Sequence, residues 1–169
     1  AIVWLAEAGE QKKVVSMVGS LSDFFRISLN QGQDILDVKE ELQHVRSYLE
    51  IQQMRYQDIL QYEICVPEEL NHCQIPKITL QPLVENAIFH GIEPKGCAGH
   101  IRIHVGYETS DHTEKIRIDV TDDGVGMTAD KAAQVLRSND DSSADFFREI
   151  GVSNVHKRLQ YQFGAEYGI

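Results

Sequence analysis

The spacing of apolar residues changes once along this chain, near residue 61, and that change limits what the chain can fold into. Before it, Val14, Met17, Val18, Leu21, Phe24 and Phe25 recur at helical spacing. Asn30-Gln31-Gly32-Gln33 interrupts the pattern. Asp37 then offers an N-cap oxygen, with Glu40 three residues on in capping-box order. Val38, Leu42, Val45, Leu49, Gln52 and Tyr56 follow in steps of 4, 3, 4, 3 and 4, a heptad seam with one polar member. Two helices cannot close a large core alone. They are expected to pack on each other, on the rest of the chain or on a second copy, and the seam points to a homodimer.

Beyond residue 61 the period falls to two. Gln61 to Val66 alternates and stops at Pro67; Ile101, Ile103, Val105 and Tyr107 alternate, as do Ile116, Ile118 and Val120, with a hairpin loop over 110–113. Between these strands a helix is expected over 79–90, with Pro82 in its first turn and Gly91 as its C-cap. A short helix is expected over 129–137. The last is expected over 151–163, with Val152, Val155, Leu159 and Phe163 on one face. Residues 138–148 are polar and weakly patterned, which predicts a mobile segment. The order gives an α+β chain: a helical part over 1–60, then a mixed layered domain over 61–169.

Three segments carry chemistry. Residues 80–91 read Leu-Gln-Pro-Leu-Val-Glu-Asn-Ala-Ile-Phe-His-Gly. Leu80, Leu83, Val84, Ala87 and Ile88 should face the core, which leaves Asn86 on a flank. An amide oxygen there suits Mg²⁺, a hard cation that keeps waters and shares phosphate oxygens. A solvated polar face is the plain alternative. Asp122-Asp123-Gly124-Val125-Gly126 ends a strand. Its acid can accept a hydrogen bond from an exocyclic amine such as that of adenine, and its glycines let backbone approach a flat ring. An ordinary Asp-Gly turn is the alternative here. Gly151 is expected to open a helix whose free N–H groups make an anion site, with Lys157 and Arg158 adding charge; a surface role for Arg158 is equally open.

At these segments the chain resembles the ATP-binding domain shared by gyrase-type ATPases, chaperones and sensor histidine kinases. It is most similar to LytS-type sensor histidine kinases of bacterial two-component systems. Their N, G1 and G2 boxes resemble residues 80–91, 122–126 and 151–159. Residues 20–58, including Tyr48-Leu49-Glu50-Ile51-Gln52-Gln53-Met54-Arg55-Tyr56, look like the family's region after its phosphoacceptor. The resemblance implies a two-layer α/β sandwich, a mixed sheet packed on helices, that binds ATP and Mg²⁺. By position, Asn86 would ligate the metal and Asp122 the adenine amine, with Gly124 and Gly126 shaping the pocket. His90 would approach the phosphates. Gly151, Val152 and Asn154 would make further nucleotide contacts, residues 138–150 would form the lid, and Glu85 is a candidate catalytic neighbour of Asn86.

The family's acceptor histidine lies in a Pro-His-Phe segment that these 169 residues do not contain, and His44 lacks that context. Phe147 and Glu149 stand where relatives often carry glycine. The family continues beyond the last helix into one or two closing strands. ATPase branches place a glutamate one turn before the metal amide, where this chain has Pro82. The implied activity is therefore phosphoryl transfer to a histidine outside this stretch, for relay to an aspartate of a response regulator, rather than hydrolysis. A non-catalytic nucleotide-binding or dimerisation module of the same fold, and a standalone ATPase, are the alternatives.

Bulk properties agree with a protein-level role. A formal charge of −10 excludes a general binder of nucleic acid or anionic membranes, since phosphate backbones select excess Lys and Arg. Cys65, Cys73 and Cys97 are odd in number with no C-x-x-C pair, which argues for a reducing cytosol over a disulfide framework. No stretch is long and apolar enough to span a membrane. The abrupt ends suggest a piece of a longer protein, the cytoplasmic part of a membrane sensor joined to its membrane through upstream segments.

Overall fold

The computed structural model describes residues 1–29, 34–56, 59–110, 113–137 and 146–169. The helical part opens with α1 (Ile2–Glu7) and α2 (Gln11–Ser28), separated at Gly9, whose φ of 73° an L side chain rarely adopts. The left-handed glycine breaks the part expected to be helical into two helices here. After β1 (Ile35–Asp37), α3 spans Val38–Tyr56. Half of the expected capping box is present: the Asp37 N–H donates to the Glu40 carboxylate at 3.1 Å.

The remaining elements are β2 (Leu60–Cys65), β3 (Gln74–Pro76), α4 (Leu80–Asn86), β4 (Gly99–Ser110), β5 (Thr113–Asp122), α5 (Ala129–Arg137) and α6 (Phe146–Phe163). β1 and β3 pair antiparallel in a small separate ladder. Three residues each are too few for an alternating pattern to announce them. The main sheet has the order β2-β4-β5, with β2 parallel to β4 and β4 antiparallel to β5. This is the mixed sheet packed on helices expected of the α+β class.

Register decides which side chains meet the helices. Ile103 pairs with Val120 and Val105 with Ile118, and paired residues share a face. Ile101, Ile103 and Val105 are fully buried under the helices. The opposite face is polar, where Arg102 meets Glu63 and Arg117 meets Asp119. The alternation weakens at Tyr107, which is exposed toward the hairpin end.

One continuous core joins the two parts. Val38, Leu42, Val45 and Leu49 of α3 pack in the same cluster as Leu60, Leu80, Val84, Ile88 and Ile101. This corrects the reading of the Val38–Tyr56 seam as a surface for a second copy. Its members are filled within the chain, and α3 touches α2, α4 and β2. The exposed apolar stripe lies on α2 instead, at Val15, Val18 and Phe25, continuing to Leu29 at the helix end.

The Leu80 helix also runs differently from expectation. Gly91 does not cap it. The backbone continues in a π-turn over Ala87–Ile92 and a 3₁₀ turn over Glu93–Lys95, and the left-handed stop falls at Gly96, φ 69°. α6 begins at Phe146, so Gly151 lies inside it and does not open a helix; the anion site of free N–H groups expected at Gly151 is absent there. The expected mobile segment falls largely on residues 138–145, outside the described residues. The three cysteines are free, and none of the described helices is long and apolar enough to cross a membrane.

Candidate functional site

The site forms where the end of β5 meets the far end of the α4 helix. Along β5, Ile116, Ile118 and Val120 turn toward the helices, and a period of two carries Asp122 to the same side at the strand end. The carboxylate thus arrives at the mouth of the core with no hydrophobic neighbour further along the strand. Its Oδ1 accepts the Gly124 N–H at 2.9 Å, which folds the following turn back. Asp123 points elsewhere. It accepts the His100 N–H at 2.8 Å and pairs with Lys95 at 3.1 Å, and these two contacts hold its carboxyl below the usual range. Adjacent acids therefore have separate duties: Asp123 ties the loop to β4, and Asp122 faces the cleft.

Two glycines make the junction possible. A Cβ on Gly124 would sit 2.3 Å from the Gly91 carbonyl carbon, and one on Gly91 would sit 2.4 Å from the Asp122 Oδ1. The Val125 N–H donates to the Gly91 carbonyl at 3.0 Å. Gly91, expected only to end a helix, is therefore the residue that lets the loop after β5 lie on the helix backbone. The π-turn widens the helix at this contact, and such turns recur where a helix must present side chains to a site.

Asn86, His90 and Asp122 line one cleft of about 230 Å³, together with Gly91, Gly126, Met127 and Lys131. A wider cleft of about 410 Å³ shares Asn86, Asp122, Met127 and Val135 with it and is lined also by Leu83 and Val152. The expected core face of the helix is buried at Leu80, Val84, Ala87 and Ile88, whereas Leu83 is half-buried and lines the wider cleft; Asn86 and His90, four apart, share the flank. His90 Nε2 is shielded from water yet has no hydrogen-bond partner among the described residues. Gly126 takes φ 69° at the cleft edge with open space around it.

The remaining candidates divide. Val152 is buried against the wider cleft. Gly151 packs on Pro82, at 3.2 Å for an added Cβ, and lines neither cleft; Asn154 is exposed and lines neither. Glu85 accepts a hydrogen bond from Gln81 at 2.8 Å and faces Tyr48 of α3, whose hydroxyl is pushed upward by burial first and by the Glu85 charge second. The structure does not bring Glu85 to the cleft, because adjacent residues on a helix project about 100° apart. Arg158 turns away from the cleft as well: its Nη2 donates to the Ile78 carbonyl at 2.9 Å and to Thr79 Oγ1 at 3.1 Å.

Sequence reasoning missed Lys131, a cation on α5 that enters the cleft; its position in a short charged helix gave no signal. It also missed Glu41, which is fully buried. A signal existed there, because position 41 lies three after Val38 and four before Val45, on the apolar stripe.

An arrangement of amide, carboxylate, imidazole and ammonium groups around one cleft can hold a polar ligand with a flat amine-bearing ring at one end and negative charge at the other. By contrast, the groove between α4, β5 and α6, lined by Leu80, Leu83, Ile118, Leu159 and Phe163, has no charged side chain in its lining among the described residues.

Residues 76–168 match the family of histidine kinase-, DNA gyrase B- and HSP90-like ATPases, and residues 1–60 match the histidine kinase family. Sensor histidine kinase YesM of Bacillus subtilis (strain 168) is 37% identical over 171 residues, covering 100% of this chain and 27% of that protein. Sensor histidine kinase BtsS of Escherichia coli (strain K12) is 31% identical over 160 residues, 95% of this chain and 25% of its own length. Sensor protein kinase HptS of Staphylococcus aureus (strain USA300) is 29% identical over 154 residues, 91% of this chain and 28% of its own length. The chain thus spans about a quarter of the curated relatives it matches. In fold it is similar to the histidine kinase domain from the Erythrobacter litoralis EL346 blue-light activated histidine kinase, with a TM-score of 0.51 at 12% identity over 91% of this chain and 72% of that one. The chain belongs to the histidine kinase-, DNA gyrase B- and HSP90-like ATPase family, among the sensor histidine kinases of the LytS and YesM type.

Proposed function

We infer that the cleft binds ATP with Mg²⁺ and that the chain is the catalytic part of a sensor histidine kinase. The observation that supports this most is the placement of the Asn86 amide and the Asp122 carboxylate on one cleft. The close approach of Gly124 to Gly91 brings the two segments together. Asp122 would accept the adenine amine, and Gly124 and Gly126 would leave room for the ring. Asn86 would supply an oxygen to the metal, while His90 and Lys131 would face the phosphates. Mg²⁺, when bound, neutralises phosphate charge and orients the transferred group. The orphaned His90 Nε2 and the metal-compatible Asn86 oxygen fit that ligand.

The γ-phosphoryl would pass to a histidine outside these residues and from there to an aspartate of a response regulator. His44 does not serve as that acceptor. It is fully buried, stacked on Phe24 at 4.6 Å and bonded to Ser28 Oγ at 2.8 Å. Glu85, outside the cleft, is not needed as a base, because phosphoryl transfer rests on positioning and charge neutralisation. The chain would form a homodimer through its N-terminal helices, residues 1–60 serving dimerisation and 61–169 nucleotide binding. The α2 stripe of Val15, Val18, Phe25 and Leu29, at heptad spacing, is the surface that supports the dimer. The whole protein would be a membrane sensor with this part in the cytoplasm.

Calorimetry with a non-hydrolysable ATP analogue and Mg²⁺ tests the reading. Binding that weakens at least about tenfold in Asp122→Asn, the scale of a lost charge-assisted hydrogen bond, supports it. No heat from the unmodified chain refutes it and leaves the non-catalytic module.

A further inference from the structure

The buried carboxylate of Glu41, on α3, lies 39 residues before the first residue of the helix it serves. Its Oε2 accepts the Ile78 N–H at 3.0 Å, and its Oε1 accepts the Thr79 and Leu80 N–H groups at 2.7 and 2.9 Å. They are the N–H groups of the first residue of α4, of its N-cap Thr79 and of the residue before it, so the carboxylate caps the entry to a helix whose own N-cap side chain makes no capping bond. The chain enters that turn through Ile78 at φ 57°, a left-handed conformation that costs a side chain with a branched Cβ. Arg158 of α6 grips the same turn from its carbonyl side, at Ile78 O and Thr79 Oγ1, and the Thr79 hydroxyl donates to Pro76 O at 2.6 Å. Two elements distant in sequence, α3 and α6, thus converge on the start of the helix that carries Asn86.

We propose that Glu41 is a positioning residue for the nucleotide site: by holding the first turn of α4 it fixes Asn86 opposite Asp122, so that the placement of α3 and the metal-dependent part of nucleotide affinity are coupled. The inference rests on the proposed Mg-ATP site. Glu41 contacts neither cleft and acts only through the α4 backbone. The distal end of that helix is anchored independently by Gly91 against the loop after β5. Releasing the first turn therefore lets α4, whose last residue is Asn86, pivot about that anchor, which turns Asn86 relative to an Asp122 still held by the loop after β5. Any coupling of this kind is reciprocal: a displacement of α3 that strains the turn weakens metal-nucleotide binding, and bound metal-nucleotide resists that displacement.

The test measures the affinity of a non-hydrolysable ATP analogue with and without Mg²⁺, in the unmodified chain, Glu41→Gln, Asn86→Ala and the double variant. The glutamine amide turns a donor toward one of the N–H groups the carboxylate accepts. In Glu41→Gln the ratio of the two affinities is expected to fall at least about fivefold, the lower end of ordinary coupling, with the Mg-free affinity little changed. The double variant should lose no more of that ratio than Asn86→Ala alone. A ratio equal to that of the unmodified chain, or equal losses with and without Mg²⁺, overturns the proposal. If circular dichroism shows that Glu41→Gln does not fold, Arg158→Lys carries the same test, because it keeps Glu41 and the charge but removes the two-pronged grip; its ratio should fall in the same direction. Absence of nucleotide binding in the unmodified chain would instead refute the nucleotide site itself, so the two failures are distinguishable.

Discussion

Replacing Gly124 by alanine probes the contact that assembles the site. The added methyl carbon would lie 2.3 to 2.4 Å from the Cα, carbonyl carbon and oxygen of Gly91. All three are backbone atoms, so no side chain can swing aside. Either the helix or the loop after β5 must move by about 1 Å to reach ordinary contact, and overpacking of this kind costs roughly 1–3 kcal/mol. The movement also breaks the Val125-to-Gly91 hydrogen bond and strains the Gly124-to-Asp122 one, worth about 1 kcal/mol each. Stiffening of the unfolded chain returns about 0.4–1 kcal/mol. The net is a loss of roughly 3 kcal/mol, which for a chain of this size lowers the Tm by about 6–12 °C. Two companions give contrast. In Gly91→Ala the clash is with the Asp122 side chain, which can rotate, so stability should fall by only about 1 kcal/mol while nucleotide affinity falls about tenfold or more. In Gly126→Ala nothing lies within 4 Å and only the left-handed backbone resists, about 1–2 kcal/mol. Thermal denaturation with nucleotide calorimetry on the three variants reads all of this. A Gly124→Ala chain that melts within about 2 °C of the unmodified one would refute the reasoning.

Further outcomes follow from burial and charge. His44 is held below its ordinary pKa of 6.5 by burial first and the Lys77 charge second. A lowered folded pKa means the unfolded chain takes up the proton first, so stability is present above pH 6.5 and is lost as pH falls below it, by at most about 1.4 kcal/mol per pH unit. Urea midpoints measured from pH 7.5 to 5 should lose that component in His44→Phe, and an unchanged difference profile would contradict it. Exchanging Val18 and Phe25 together for lysine should turn a sedimenting dimer into a monomer with little change in Tm, since both side chains are about half exposed in the single chain; a persistent dimer would remove α2 from the interface. Glu85→Gln should leave Mg-nucleotide affinity within about twofold by calorimetry, because Glu85 bonds to Gln81 outside the cleft; a tenfold loss would return it to the site.

The elements with a strong period were legible in the sequence. The alternation of Ile101, Ile103 and Val105 and the helical faces of α3 and α4 read directly as buried surfaces. The positions of Asn86 and Asp122 were legible from their phase, one on a helix flank and one at the end of a strand, whereas His90, which lines the same cleft, was pointed to only by the resemblance. What escaped was set by contacts between segments far apart in sequence. The short β1 and β3 pair only because each finds the other. The role of Gly91 depends on Gly124 approaching it, and the continuation past Gly91 depends on a π-turn that no local preference announces. The Val38–Tyr56 seam was correctly seen as apolar, but a heptad pattern does not say whether its partner is a second copy or the chain's own core. Glu41 was hidden for a related reason: a lone acid in an apolar stripe gains meaning only with the donors of α4 in view.

The central claim is that one cleft holds a purine at Asp122 and a metal-bound phosphate chain at Asn86. A crystal structure of the chain with Mg²⁺ and a non-hydrolysable ATP analogue measures this directly. The account predicts the exocyclic amine within about 3 Å of the Asp122 carboxylate and the metal on the Asn86 side-chain oxygen at about 2.1 Å. Nucleotide seated in the apolar groove beside Phe163, or bound with its base away from Asp122, would contradict it.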